Sequence, residues 1–123
     1  MPDEREAAVT WSERPHGYLV RVAGDVDAES APRLRTVLDA AARAARPRTV
    51  VDLSRVPFAD SAILHVLLGA QQAHRDLGAL LVLAGPLQDG VARLLDVTGT
   101  AGFFVLAADV ASAMEVPAAM TDR

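Results

Sequence analysis

The stretch that decides the fold is TVVDLSRVPFADSAILHVLLGA, residues 49–70. It opens as a strand. Val50, Val51 and Leu53 are β-prone, and a short apolar run bounded by polar residues suits a sheet position buried on both faces. It closes as a helix, because Leu64, Leu67 and Leu68 recur at helical spacing. Pro57 lies between the two and turns Val56 away from helical backbone, so the strand must finish before the next element begins. Asp60 and Ser61 follow, and both residue types are good helix N-caps. A helix start has unpaired N–H groups and the positive end of the dipole. A serine at that point stands at the rim of the fold, within reach of a partner or an enzyme.

The rest of the composition sets limits. The chain has 123 residues, one domain's worth, and 51% of them are hydrophobic, enough to fill a core. Only 4% are aromatic, so that core must be aliphatic. The net charge of −4 argues against nucleic acid, which favours basic stripes. No Cys is present, which removes a disulfide framework, a thiolate nucleophile and a Cys-type zinc site. All 12 basic residues are Arg. Without Lys there is no Walker A lysine, no Schiff base and no receiver-domain lysine, so Asp52 at its strand end is not read as a receiver aspartate. No GxGxxG, P-loop or G-x-S-x-G occurs, and Ser61 has no sequence-visible triad. The apolar runs at 62–70 and 79–85 are too short to cross a bilayer, and the acidic start MPDEREAAV is not a signal peptide. The expectation is a cytoplasmic protein that uses no cofactor, metal, membrane or nucleic acid.

Read in order, residues 1–8 form a loose end and Val9–Trp11 a first short strand. Arg14-Pro15-His16-Gly17 makes a turn. Tyr18–Ala23 forms a second strand with Tyr18, Val20 and Val22 on one face. A first helix starts near Ser30, with Pro32 in its first turn. Leu34, Val37, Leu38, Ala41, Ala42 and Ala45 form its apolar stripe, and Pro47 ends it. The second helix runs from Ser61 to about Asp76, with Gly78 as its stop. Leu80–Ala84 is a fourth strand, about Gln88–Thr98 a third helix, Phe103–Leu106 a last strand, and Asp109 caps a final helix that Pro117 stops. The order ββαβαβαβα implies an α/β fold, a central mixed sheet with helices packed against it. One domain spans 1–123, with its core at about 9–116 and loose ends at 1–8 and 118–123.

Each candidate residue also has a plain structural reading. Ser61 and Asp60 serve as ordinary caps, and Asp25 and Asp27 as ordinary turn acids. His65 lies one helical turn after Ser61 on the same face. His16 and His74 have no partners at metal-ligand spacing, so no metal site is expected.

The strand, loop, Asp-Ser and leucine-rich helix together resemble the STAS domain, in particular the bacterial anti-sigma factor antagonists. Their usual run is Asp-Ser-Ser/Thr-Gly-Leu; here it reads Asp60-Ser61-Ala62-Ile63-Leu64. A second stretch also resembles the family: Gly24, Asp25, Val26 and Asp27 before Ala31, Pro32 and Leu34. So does Leu95-Asp96-Val97-Thr98-Gly99 at the end of the third helix. The resemblance implies a binding protein rather than an enzyme. It implies a partner that is both an anti-sigma factor and a serine kinase, release of a sigma factor on binding, and phosphorylation of Ser61 that ends binding. A PP2C-type phosphatase would reverse the modification. Asp60, Ser61, Ala62, Ile63, His65, Asp25 and Asp27 would form the partner-facing edge. The two departures have consequences. Ala62 removes an alternative hydroxyl, and Ile63 sets a β-branched side chain where the family keeps the backbone open. His65 replaces a small residue and is placed to contact a phosphate or to alter partner choice. The alternative is a non-phosphorylated STAS interaction subunit of a sensory complex or a lipid-transporter assembly.

Overall fold

The structure is a computed structural model and describes residues 8–117. Apart from Ala8, the expected loose ends at 1–8 and 118–123 lie outside the described residues. Ala8 is the first residue of strand β1 (Ala8–Arg14), which turns back into β2 (Gly17–Ala23). Then follow α1 (Ala31–Arg43), β3 (Arg48–Arg55), α2 (Ser61–Asp76), β4 (Leu80–Ala84), α3 (Asp89–Val97), β5 (Val105–Ala107) and α4 (Val110–Met114). This is the ββαβαβαβα order that the sequence predicts. The last strand is shorter than expected. Ala101–Phe103 forms a 3₁₀ turn, closed by Phe103 N–H to Thr100 O at 2.9 Å, and takes up Phe103, a residue expected to be extended.

The five strands lie side by side in chain order. β1 and β2 pair antiparallel; β2, β3, β4 and β5 run parallel. Each parallel connection crosses over through a helix, and right-handed crossovers repeated in one direction stack their helices on one face. The packing agrees. Val20, Val22, Val51, Leu53, Leu81 and Leu83 form one core with α1, α2 and α3. Their strand neighbours Leu19, Val50, Leu80, Val82 and Ala84 point the other way and are covered by α4. Burial on both faces explains why β3 and β4 read as continuous apolar runs.

Helix α2 is held at both ends and once in the middle of the sheet. Its C-terminus closes with Gly78 at φ +74°, a backbone conformation that favours glycine. Gly78 N–H bonds Arg75 O at 3.0 Å and Ala79 N–H bonds His74 O at 2.8 Å, the paired closure of a Schellman motif. One turn from that end, His74 is only 1% exposed. Its ring bridges α2 to β3: Nδ1 lies 2.7 Å from Ala70 O and Nε2 2.8 Å from Thr49 Oγ1. A carbonyl only accepts, so Nδ1 carries the proton and Nε2 accepts from the Thr49 hydroxyl. Burial lowers the His74 pKa, against a smaller opposing effect of the Ala70 carbonyl, and keeps the imidazole neutral.

Two outcomes are expected from this bridge. His74→Ala lowers the unfolding free energy by about 2–4 kcal/mol, because it leaves a cavity and a buried Thr49 hydroxyl without its partner. His74→Leu combined with Thr49→Val costs much less, since neither polar group then remains. Urea midpoints at constant slope measure both. Because the folded-state pKa is depressed, the unfolded chain binds the extra proton first. The contribution is therefore complete above the unfolded value of about 6.5 and is lost as pH falls below it. The pH slope in that window is smaller in the double variant.

Candidate functional site

Because β2 and β3 run parallel, the loops that follow them emerge at the same sheet edge, where open α/β sheets place their sites. These loops are joined. Gly24 N–H bonds Arg55 O at 3.0 Å, Val26 N–H bonds Phe58 O at 3.1 Å, and Val26 pairs with Ala59 as an isolated parallel bridge. Buried Val26 and Ala59 tie the loops from below, and their neighbours Asp25, Asp27, Phe58 and Asp60 flank the seam. The structure thus brings together the two stretches that the sequence singled out.

Asp60, not Ser61, is the cap of α2. Its backbone is extended at φ −108°, ψ −175°, and its Oδ1 accepts from Ala62 N–H at 2.9 Å and Ile63 N–H at 3.3 Å. Ser61 is the first helical residue and is exposed. Among the described residues its hydroxyl makes no hydrogen bond. The Asp-Ser pair therefore divides its tasks: the acid satisfies the helix start, and the hydroxyl is left open to solvent. His65 is exposed one turn further along, and Ala62 is half-buried against the core.

Ile63 corrects an expectation. Its side chain is 1% exposed and packs among Val26, Leu53, Val56, Leu83 and Val91, so it presents nothing to a partner. The family's glycine position here faces the core, and an isoleucine at this place fills the space beneath the site instead of obstructing it.

The two loop acids also separate. Asp27 holds its own turn: its Oδ1 accepts from Glu29 N–H at 3.1 Å and Ser30 N–H at 3.2 Å, while Asp27 N–H bonds Ser30 Oγ at 2.9 Å. This is the reciprocal geometry of a capping box, so α1 is led in by Asp27 and Ser30 together. Asp25 is half-buried and among the described residues has no hydrogen bond or ion pair through its carboxylate. It is the acid that remains available at the seam.

Two residues of the site were not singled out from sequence. Phe58 is 51% exposed beside Ser61, on a loop whose backbone is bonded on both sides. The signal was an aromatic in a loop of a chain with few aromatics. Gly90, in the first turn of α3, lets that helix press on the same loop: a Cβ there would sit 2.3 Å from Pro57 O. A glycine inside a helix instead of just past its end was the available sign. Among the described residues no group of His, Asp and Glu is placed to hold a metal ion, and no helix is long and apolar enough to cross a membrane.

Fold and site define a small α/β domain with an exposed serine at the start of a capped helix. The family profile described as "Mlab, STAS domain" matches residues 9–107, and the chain belongs to the STAS domain family. It is 36% identical over 78 residues to the anti-sigma-B factor antagonist of Listeria monocytogenes, across 63% of this chain and 68% of that protein. The Listeria innocua protein of the same name matches equally. Among solved structures, an anti-sigma factor antagonist from Mycobacterium paratuberculosis superposes with a TM-score of 0.81 at 21% identity, covering 93% of this chain and 96% of that one. Bacillus SpoIIAA in its phosphorylated form gives a TM-score of 0.69 at 16% identity, covering 88% and 97%. At these identities the structures establish a shared fold.

The division between cap and hydroxyl is testable by stability alone. Asp60→Ala costs about 1 kcal/mol, within the usual 0.5–2 range for a lost cap. Ser61→Ala stays within about 0.5 kcal/mol of the parent, because no bond of its hydroxyl is lost. Chemical denaturation separates the two. Glycine-to-alanine changes in helices usually stabilise, but Gly90→Ala reverses that sign and destabilises by about 1–3 kcal/mol through its clash with Pro57.

Proposed function

We propose that this protein is an anti-sigma factor antagonist whose partner binding is switched off by phosphorylation of Ser61. The observation that carries this reading is the exposed Ser61 hydroxyl, free at the first residue of α2 because Asp60 has taken the capping role. The names of the Listeria relatives and the existence of a SpoIIAA structure in a phosphorylated form support it. In this reading the chain acts in the cytoplasm as a binding protein and not as an enzyme. It binds an anti-sigma factor with serine kinase activity and thereby frees a sigma factor. A PP2C-type phosphatase restores the unmodified form.

The physics of the switch is local. Phosphate adds about −1.5 to −2 charge. Asp60 is adjacent, and Asp25 and Asp27 lie across the seam. A surface already acidic gains a further negatively charged group, and a partner fitted to the unmodified face meets repulsion and bulk there. Nothing in the core has to move, because Ser61 makes no internal bond that modification would break. Phe58 supplies the exposed apolar contact on the same face, and such aromatic anchors dominate the energetics of many interfaces.

The expected results are a phosphatase-removable phosphate on Ser61 in protein taken from its native host, and binding of the unmodified chain to its anti-sigma factor. Ser61→Ala binds like the parent and cannot be modified. The phosphorylated protein binds roughly 100-fold or more weakly. Intact and peptide mass spectrometry read the first result and titration calorimetry the others. A chain that binds its partner but carries no phosphate under any growth condition would instead be a constitutive STAS interaction subunit of a sensory or lipid-transporter assembly.

A further inference from the structure

Between α1 and α2 lies a groove of about 320 Å³, lined by Arg35, Asp39, His65, Val66 and Gly69 among others, and His65 is one helical turn from Ser61. Both helices follow parallel strands and start at the same sheet edge, so they run in the same direction. Arg35 is the fifth residue of α1 and His65 the fifth of α2, and both side chains line the groove. Gly69, with nothing within 4 Å of where its Cβ would be, keeps the wall below them open. Among the described residues neither Arg35 nor His65 forms an ion pair or a side-chain hydrogen bond, and both are exposed. A guanidinium and an imidazole that line one groove, neither bonded to the groove's single carboxylate, Asp39, can receive an anion.

The nearest source of that anion is Ser61 itself. Residues four apart on a helix have Cβ atoms about 5–6 Å apart. Helical side chains lean toward the N-terminus, so His65 leans over the turn that Ser61 occupies. A phosphoryl group on Ser61 extends outward and an imidazole reaches back, which suits one hydrogen bond between them. Arg35, on the facing helix, lines the same groove as His65. Asp39 is the one carboxylate in the groove, and it lies a turn further along α1 than Arg35.

The geometry points to an intramolecular phosphate clamp: His65 and Arg35 together hold the phosphoryl group of phosphorylated Ser61 at the mouth of the α1–α2 groove. This rests on Ser61 being the modified residue. It adds that the modified state is ordered by the chain's own side chains and that the phosphate is turned over α2, away from the Asp25 side of the seam.

The test uses the full chain with phosphoserine installed at position 61 by genetic encoding, so no kinase is needed. The ³¹P resonance is followed against pH to give the second pKa of the phosphate, ordinarily about 6. Cationic neighbours favour the dianion and lower that value. In the combined Arg35→Gln and His65→Gln variant it is expected to rise by about half a unit, a roughly threefold change in proton affinity. Asp39→Asn is expected to lower it further. Titration curves that superpose for the parent and the double variant would overturn the clamp. Both substituted side chains are exposed, so unchanged circular dichroism is expected and keeps the comparison between folded proteins. Absence of phosphate in the native host would count against the proposed switch but would leave this titration readable, so the two failures are distinguishable.

Discussion

Parallel pairing is the constraint on which the rest of the molecule depends. A chain that must re-enter a sheet in the same direction has to cross over, and each crossover here is a helix. Four parallel strands in chain order then place every strand-to-helix loop at one edge. That is why residues about thirty apart, Asp25 and Phe58, end beside each other, and why the seam between their loops can be closed by backbone bonds from Gly24 and Val26. The site is a consequence of topology before any side chain is considered. β3 is central to this arrangement: it is paired on both sides, buried on both faces and cross-linked to α2 through Thr49 and His74. The helix that presents Ser61 is thereby fixed to the strand that precedes it.

At the site itself, rigidity and availability are separated residue by residue. The groups that hold the backbone are satisfied internally: Asp60 by two amides, Asp27 by two amides, Val26 by Phe58 O. The groups left over, Ser61, His65, Phe58 and Asp25, face outward or stand at the seam. Ile63 belongs to the first set. Its buried side chain shows that the departure from the family's Asp-Ser-x-Gly-Leu run changes what lies under the helix start and not the surface above it. A core isoleucine next to Val26 and Leu83 stiffens the point at which loop, sheet and helix meet.

The strand and helix order was legible because both periodicities were clean. Leu34, Val37, Leu38 and Ala41 all face the core, and the apolar runs of β3 and β4 are buried on both sides. That Asp60 or Ser61 starts α2 was also legible, from residue types alone. Which of the two caps the helix was not, because both can; the outcome depends on an extended backbone at Asp60 that only the preceding loop imposes. His74 read as an unpartnered histidine because Thr49 lies 25 positions away and a hydrogen bond across two elements leaves no local signal. Gly90 and Arg35 were hidden for the same reason: each acts on a residue from a different crossover. Phe103 read as strand because its composition is β-like, but the Thr100 carbonyl offered a closer turn.

Charge ties these points together. The seam carries Asp25, Asp27 and Asp60, whereas the outer side of α1 carries Arg33, Arg35 and Arg43. Ser61 stands next to Asp60 and one helical turn before His65. In the proposed switch, a phosphate on Ser61 is drawn away from these carboxylates and toward Arg35 and His65. In that proposal the phosphate adds repulsion at the acidic seam and offsets the charge of Arg35 in the α1–α2 groove. A partner that needs either surface is affected without any change in the sheet beneath.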